Sequence, residues 1–239
     1  MESIKKQGGS AIRERIRQRG TLIAAVPGDY RPLAYHEGWT DAYWGFDIGV
    51  KMDVILTSWE KLEEDAKTSR FDLAAGGISR TEERARKLTL SDGYLSVGKT
   101  ILCRRDDAAR YKSLADLNQP DVRILYNPGG TNEHFIKTHL PKAALITWTD
   151  NSRIPSRLVS GHADVMVTDT VEAAYYAHQY PELTAPLIDK PFTTGEFCLL
   201  MGRESAPLVS EVNEVLRKFR EDGTLLDLKK KYLGSLADA

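Results

Sequence analysis

The chain has 239 residues, enough for one large domain or for two lobes, and enough to bury a sizeable core. Lys and Arg number 33 against 34 Asp and Glu, a formal net charge of −1, so the basic excess expected of a nucleic-acid specialist is missing. No apolar run approaches the roughly 20 residues that span a bilayer, so membrane insertion is not expected either.

Residues 11–19 read as a basic amphipathic helix stopped by Gly20, and the apolar run Thr21–Val26 then reads as a buried strand broken by Pro27-Gly28. The stretch before this strand is charged and lacks the apolar segment of a secretory signal, so the N-terminus does not decide the compartment. Val54–Leu56 is a second strand, and Thr57-Ser58 can cap a helix over Trp59–Lys67. A strand over Phe71–Ala75, a Gly76-Gly77 loop and a Thr-led helix over Thr81–Lys87 follow. The second half repeats the style. Strands are expected at Val122–Tyr126, Ala143–Trp148 and Ala163–Thr168, with helices at Asn132–His139, Ser152–Ser160 and Thr170–Tyr180. Two helices, Ala206–Arg220 and Leu225–Tyr232, close the chain, the first with an apolar stripe near the 3.6 period. Strands alternating with helices predict an α/β fold with largely parallel pairing.

Two internal correspondences predict two lobes. Phe71-Asp72 and Ala163-Asp164 each open an apolar strand that ends in small polar residues, 164 − 72 = 92 positions apart, and Thr21–Gly28 and Val122–Gly130 are both apolar strands ending in Pro-Gly. Ligands of such folds bind beyond the carboxyl ends of strands. The residues there are Gly28, Asp29 and Tyr30; Gly76, Gly77 and Ser79; Gly130, Thr131 and Asn132; and Thr168 and Asp169. Glycines admit a ligand to the backbone and short hydroxyls and amides donate, a set suited to a carboxylate. Arg84, five positions after Ser79, can fold its fork back over the same anion, or serve as one solvated cation among several in ERARK. Asp29 and Asp169 can accept from an ammonium or a hydroxyl, or act as turn and cap residues. Tyr30, Trp44 and Trp59 offer flat apolar walls, or core.

Nothing in the chain matches a nucleophile elbow or a P-loop, and the five histidines form no metal-ligand spacing, so neither a metal nor a cofactor is expected. Cys103 and Cys198 sit among apolar residues and read as small buried hydrophobes.

The stretches RGTLIAAVPGDYRPLAY, WGFDI (44–48), FDLAAGGISRTEERARKLTLSDGYL, GGTNE and GHADVMVTDTVEA, in that order, resemble the type II periplasmic solute-binding proteins of polar amino-acid transporters over nearly the whole chain. The resemblance implies two Rossmann-like lobes joined by a hinge crossed twice, near 103 and 196. Lobe 1 would comprise 1–102 and 197–239, lobe 2 would be 103–196, and a ligand cleft would lie between them. It also implies a periplasmic location, a carboxylate site at Gly77, Ser79 and Arg84 with Thr131 and Asn132 adding donors, and Asp169 as acceptor for a ligand ammonium. Within the family, GDYRP, TSW, GK, NPGGTNEHF and PFTTGE resemble the cyclohexadienyl dehydratase branch, which converts prephenate or arogenate to phenylpyruvate or phenylalanine. That likeness implies catalysis by Glu196 as a general acid whose acidity is lowered by burial, and Lys99 matches a catalytic-site lysine of that branch. The non-catalytic alternative is an amino-acid-binding protein serving a transporter permease. Against the family pattern, the chain is one helix short between Ile48 and Val54.

Overall fold

The computed structural model describes residues 11–12, 14–36, 43–44 and 53–233. The expected gap between Ile48 and Val54 lies outside these, as does most of the WGFDI stretch.

In chain order the elements are α1 (11–12 and 14–19), β1 (Ile23–Val26), β2 (Asp29–Tyr30), β3 (Ala34–His36), β4 (Tyr43–Trp44), β5 (Asp53–Leu56), α2 (Leu62–Lys67), β6 (Leu73–Ser79), α3 (Glu82–Lys87), β7 (Thr89–Leu90), β8 (Leu95–Val97) and β9 (Lys99–Arg104). After them come α4 (Leu114–Leu117), β10 (Arg123–Tyr126), α5 (Thr131–His139), β11 (Ala144–Thr147), α6 (Ile154–Val159), β12 (Val165–Asp169), α7 (Thr170–Gln179), β13 (Leu183–Thr184), β14 (Gly195–Met201), α8 (Val209–Glu221) and α9 (Thr224–Leu233).

The chain divides into two compact units. The first takes the described residues up to Gly28, Leu33–Ser96 and Glu196–Tyr232, and the second takes Asp29–Pro32 and Val97–Gly195. The division after Ser96 comes earlier than the expected 103, because β9 pairs with β12 along its length, from Cys103 opposite Val165 to Lys99 opposite Asp169. Asp29 and Tyr30, expected with the first lobe, belong to the second unit, where the Tyr30 ring is buried.

In the first unit the sheet order is β5-β1-β6-β14-β7, with β1 parallel to β5 and β6 and with β14 antiparallel to β6. Alternation along a strand sends successive side chains to opposite faces. Ala25 and Ala74 pack on Leu62, Ala66, Phe71 and Leu88, while Ala24 and Leu73 pack on Ile12, Met201 and Leu208. The strand read as ending at Ala75 runs on to Ser79, because Cys198 and Phe197 of β14 pair with Ile78 and Ser79. Gly76 and Gly77 are therefore strand residues rather than a loop. Both have positive φ, and a Cβ at Gly76 would lie 3.0 Å from the side chains of Ala34 and Pro27.

The second unit has the order β11-β10-β12-β9-β13, with β10 parallel to β11 and β12, and β9 antiparallel to β12 and β13. Ile101, Ile124, Val165 and Val167 face Leu117, Phe135, Ile136 and Leu140, whereas Leu102, Leu125 and Met166 face Ile154, Leu158 and Tyr176. The expected parallel pairing thus holds for three strands of each sheet, and an antiparallel strand, β14 or β9, continues each sheet toward its remaining strands. Cys103 and Cys198 are both buried, and burial pushes the Cys103 thiol up to about 12.

The 92-residue correspondence has a physical basis. Asp72 donates its backbone N–H to Ile23 O (2.9 Å) and accepts from Ile23 N through Oδ2 (2.8 Å); Asp164 does the same with Arg123 O (2.9 Å) and Arg123 N (2.9 Å). Each buried carboxylate also takes arginines, Arg15 and Arg19 at Asp72 and Arg104 and Arg123 at Asp164. Burial by itself would raise the Asp164 carboxyl, but hydrogen bonds from Arg123 and Arg104 outweigh it and hold the group at about 2.

Gly202, just after β14, is a packing constraint. A Cβ there would stand 2.0 Å from the Ala66 carbonyl oxygen at the end of α2. Gly202→Ala is expected to cost about 2 kcal/mol or more, since backbone must move to admit the methyl. Denaturant unfolding measures this, and an unchanged midpoint contradicts it.

Candidate functional site

In the second unit, antiparallel register sets Lys99 at the start of β9 opposite Asp169 at the end of β12. Lys99 Nζ donates to both Asp169 carboxylate oxygens (2.9 Å each), to Thr131 Oγ1 (2.9 Å) and to Asn132 Oδ1 (2.5 Å). Thr131 and Asn132 open α5, so a helix N-terminus and two strand ends converge on one ammonium. Tyr30 OH donates to Asp169 Oδ2 at 2.9 Å. Lys99 is 7% and Asp169 4% exposed, so these are desolvated, charge-assisted bonds. Burial, with the charges of Asp169 and Glu172, holds the Tyr30 hydroxyl well above its ordinary acidity range, so it is a donor at every working pH.

Glu172 lies behind this cluster, in the first turn of α7, where the Asp169-x-x-Glu172 spacing brings it back toward β12. It is fully buried; Thr168 Oγ1 donates to one carboxyl oxygen and Asn151 Nδ2 to the other (2.7 Å). Burial pushes the Glu172 carboxyl up to about 8, opposed by the Thr168 and Asn151 bonds and helped by the charges of Asp169 and Asp29. Sequence reasoning missed Glu172 and Asn151. The Asp-x-x-Glu spacing at a helix entry was the available signal. Asp29, the remaining expected acceptor, is half-buried in the same unit.

In the first unit, β6 delivers Ser79 and α3 delivers Arg84. The Thr81 hydroxyl caps α3 by accepting from Arg84 N (3.2 Å), and this turn folds Arg84 back so that Nη1 donates to Ser79 O (2.9 Å). The Arg84 Nε stands 3.9 Å from Glu63 Oε1, and the side chain is buried. Expected partners five positions apart are thus in contact, with Gly77 adjacent on the same strand. Trp59 is half-buried and packs on the first unit's core.

Glu196 begins the first unit's return along β14, and its carbonyl accepts from Arg80 N at 2.8 Å. The side chain is exposed rather than desolvated, which corrects the expectation of a buried acid. It lies across Gly93, where a Cβ would come within 2.3 Å of Glu196 Cδ. Among the described residues, no group of three His, Cys, Asp or Glu side chains is placed to hold a metal ion.

The bacterial extracellular solute-binding proteins, family 3, match residues 22–235. The chain belongs to this family. Its fold is the type II periplasmic binding protein fold, with mixed α/β sheets in two lobes. A cyclohexadienyl dehydratase from Pseudomonas aeruginosa is 37% identical over 218 residues, 86% of this chain and 80% of that one. Among solved structures, an ancestral amino acid-binding protein described as a precursor of cyclohexadienyl dehydratase is 34% identical with a TM-score of 0.82, covering 92% of this chain and 98% of that one. An ancestral cyclohexadienyl dehydratase is 43% identical with a TM-score of 0.53, covering 92% and 95%. Among its described residues, this solute-binding family member has no helix long and apolar enough to cross a membrane.

Proposed function

We propose that this protein is a carbon–oxygen lyase of the cyclohexadienyl dehydratase type, converting prephenate or arogenate to phenylpyruvate or phenylalanine. The observation that carries this reading is the 37% identity to the Pseudomonas enzyme over most of both chains. In the reaction the ring C–O bond breaks and its electron pair leaves with the oxygen. The C–CO2 bond breaks as well, and its pair flows into the ring to complete the aromatic sextet. The departing hydroxyl needs one proton to leave as water, and Glu196 supplies it as general acid. An exposed carboxyl regains that proton from solvent between turnovers. Arg84, fixed by the Ser79 carbonyl, supplies paired donors to a substrate carboxylate, with Gly77 and Ser79 beside it. In the second unit Lys99, Thr131 and Asn132 supply further polar contacts, with Asp29, Tyr30 and Asp169 in the same unit, and in the first unit Trp59 offers an apolar wall. The site is read as periplasmic, in keeping with the family.

The test is incubation with prephenate while phenylpyruvate is followed; a folded protein that yields none overturns the proposal. The second reading, an amino-acid-binding protein that hands its ligand to a transporter permease, is favoured by the likeness to the ancestral binding protein. Calorimetric titration with amino acids decides for it. Under either reading Arg84→Ala weakens ligand affinity by about a hundredfold or more, the loss expected for a bidentate, desolvated charge contact. Unchanged affinity removes Arg84 from the site.

A further inference from the structure

We infer that Glu63 is a positioning residue for Arg84: with the Ser79 carbonyl it fixes the plane of the guanidinium, while Lys87 holds it back from occupying the fork that a ligand carboxylate needs. The inference rests on the proposed role of Arg84 toward such a carboxylate, which the dehydratase and binding-protein readings share.

Glu63, Ser79, Arg84 and Lys87 all belong to the first unit. Leu62 and Ala66 of α2 share a core with Leu88, which follows α3, and this packing lets Glu63, in the first turn of α2, reach side chains of α3. A guanidinium held at one nitrogen can still swing about that bond. Arg84 Nη1 donates to Ser79 O at 2.9 Å, and Glu63 Oε1 stands 3.9 Å from Nε, at a second corner of the fork. That distance is too long for a hydrogen bond. What Glu63 supplies there is charge, and because the Arg84 side chain is buried, salt and water screen it little. Glu63 Oε2 accepts from Lys87 Nζ at 3.3 Å, and Lys87 also donates to Glu83 at 2.6 Å. Without Lys87, nothing holds that second oxygen back from the bidentate pairing that arginine and carboxylate favour, in which Glu63 would compete with the ligand. Drawn both ways, Glu63 orients the fork and leaves it available. Glu63 and Lys87 are half-buried, and ion pairs of that kind contribute little to stability, so removing either is expected to leave the fold intact.

The experiment has two arms, each on the wild type, Glu63→Gln, Lys87→Met and the double variant. In the first, proton–nitrogen magnetic resonance follows the Arg84 Nε–H signal without any ligand, the signal being assigned by its loss in Arg84→Lys. Glu63→Gln is expected to shift that signal and to speed its exchange with water by about threefold or more; an unmoved signal overturns the inference. In the second, Glu63→Gln is expected to raise KM for prephenate by about three- to tenfold with kcat little changed, the mark of a lost binding contribution, and Lys87→Met to raise it by about twofold or more. Because Lys87 acts through Glu63, the double variant should match Glu63→Gln alone. Additive effects, or a KM in Glu63→Gln that is unchanged or lowered, overturn the inference, even where stability falls, since that pattern marks a merely structural contact. A wild type that turns over no prephenate sinks the dehydratase reading instead, and the ligand-free arm then decides for Glu63.

Discussion

Glu196→Gln is expected to lower kcat with prephenate by about 10²- to 10⁴-fold and to change KM little, the range general acids contribute. Glutamine keeps the shape that lies across Gly93 and keeps the backbone carbonyl that accepts from Arg80 N, so the fold and the binding contacts stay. What is lost is the proton. Without it the ring oxygen leaves as hydroxide, a far poorer leaving group than water. A fall in kcat and kcat/KM together, with ligand affinity intact, marks an interaction made only in the transition state. Steady-state kinetics with calorimetry on the variant makes the measurement, and retention of more than a tenth of the wild-type kcat would remove Glu196 from the role.

Glu172→Gln is expected to change stability rather than chemistry. The Glu172 carboxyl is held at about 8 against an ordinary value of 4.5. Between those values the native state keeps a proton that the unfolded chain has released. The unfolded state then binds fewer protons, so stability falls as pH rises across the window, being fully present below 4.5 and lost by about 8. The loss is on the order of 5 kcal/mol at pH 9. A glutamine amide can donate to Thr168 Oγ1 and accept from Asn151 Nδ2, preserving both contacts of the acid. The variant should match the wild type near pH 4.5 and exceed it by several kcal/mol at pH 9. Denaturant unfolding at the two pH values provides the comparison, and parallel pH dependences would contradict the assignment.

Much of the scaffold was legible because its signals are local. The parallel strands carry continuous apolar runs between turn residues, and Asp72 and Asp164 betray the two lobes by recurring at the head of equivalent strands. Arg84 and Ser79 could be paired from spacing, since one capped turn sets the return. The antiparallel strands β9 and β14 were not expected, and with them went the unit boundary and the continuation of β6 through Gly76-Gly77. Their partners lie far along the chain, and no local pattern states a pairing. The Lys99–Asp169 contact is nonlocal in the same way: it exists because two strands 70 residues apart are in a particular register. Glu172 looks, in sequence, like any first-turn glutamate. Only the packing of α7 on the sheet turns it into a buried acid.

The matching bond pairs at Asp72 and Asp164 have a consequence for how such a chain can vary. Each sheet is sewn at its own seam, by an aspartate that ties one strand's entry to its neighbour's and carries its own arginines. Neither seam borrows a residue from the other. Substitutions beyond the opposite ends of those strands, where the proposed ligand contacts lie, therefore leave both seams untouched. One architecture can thus trade an amino-acid receptor's contacts for those of a catalyst without restitching either half.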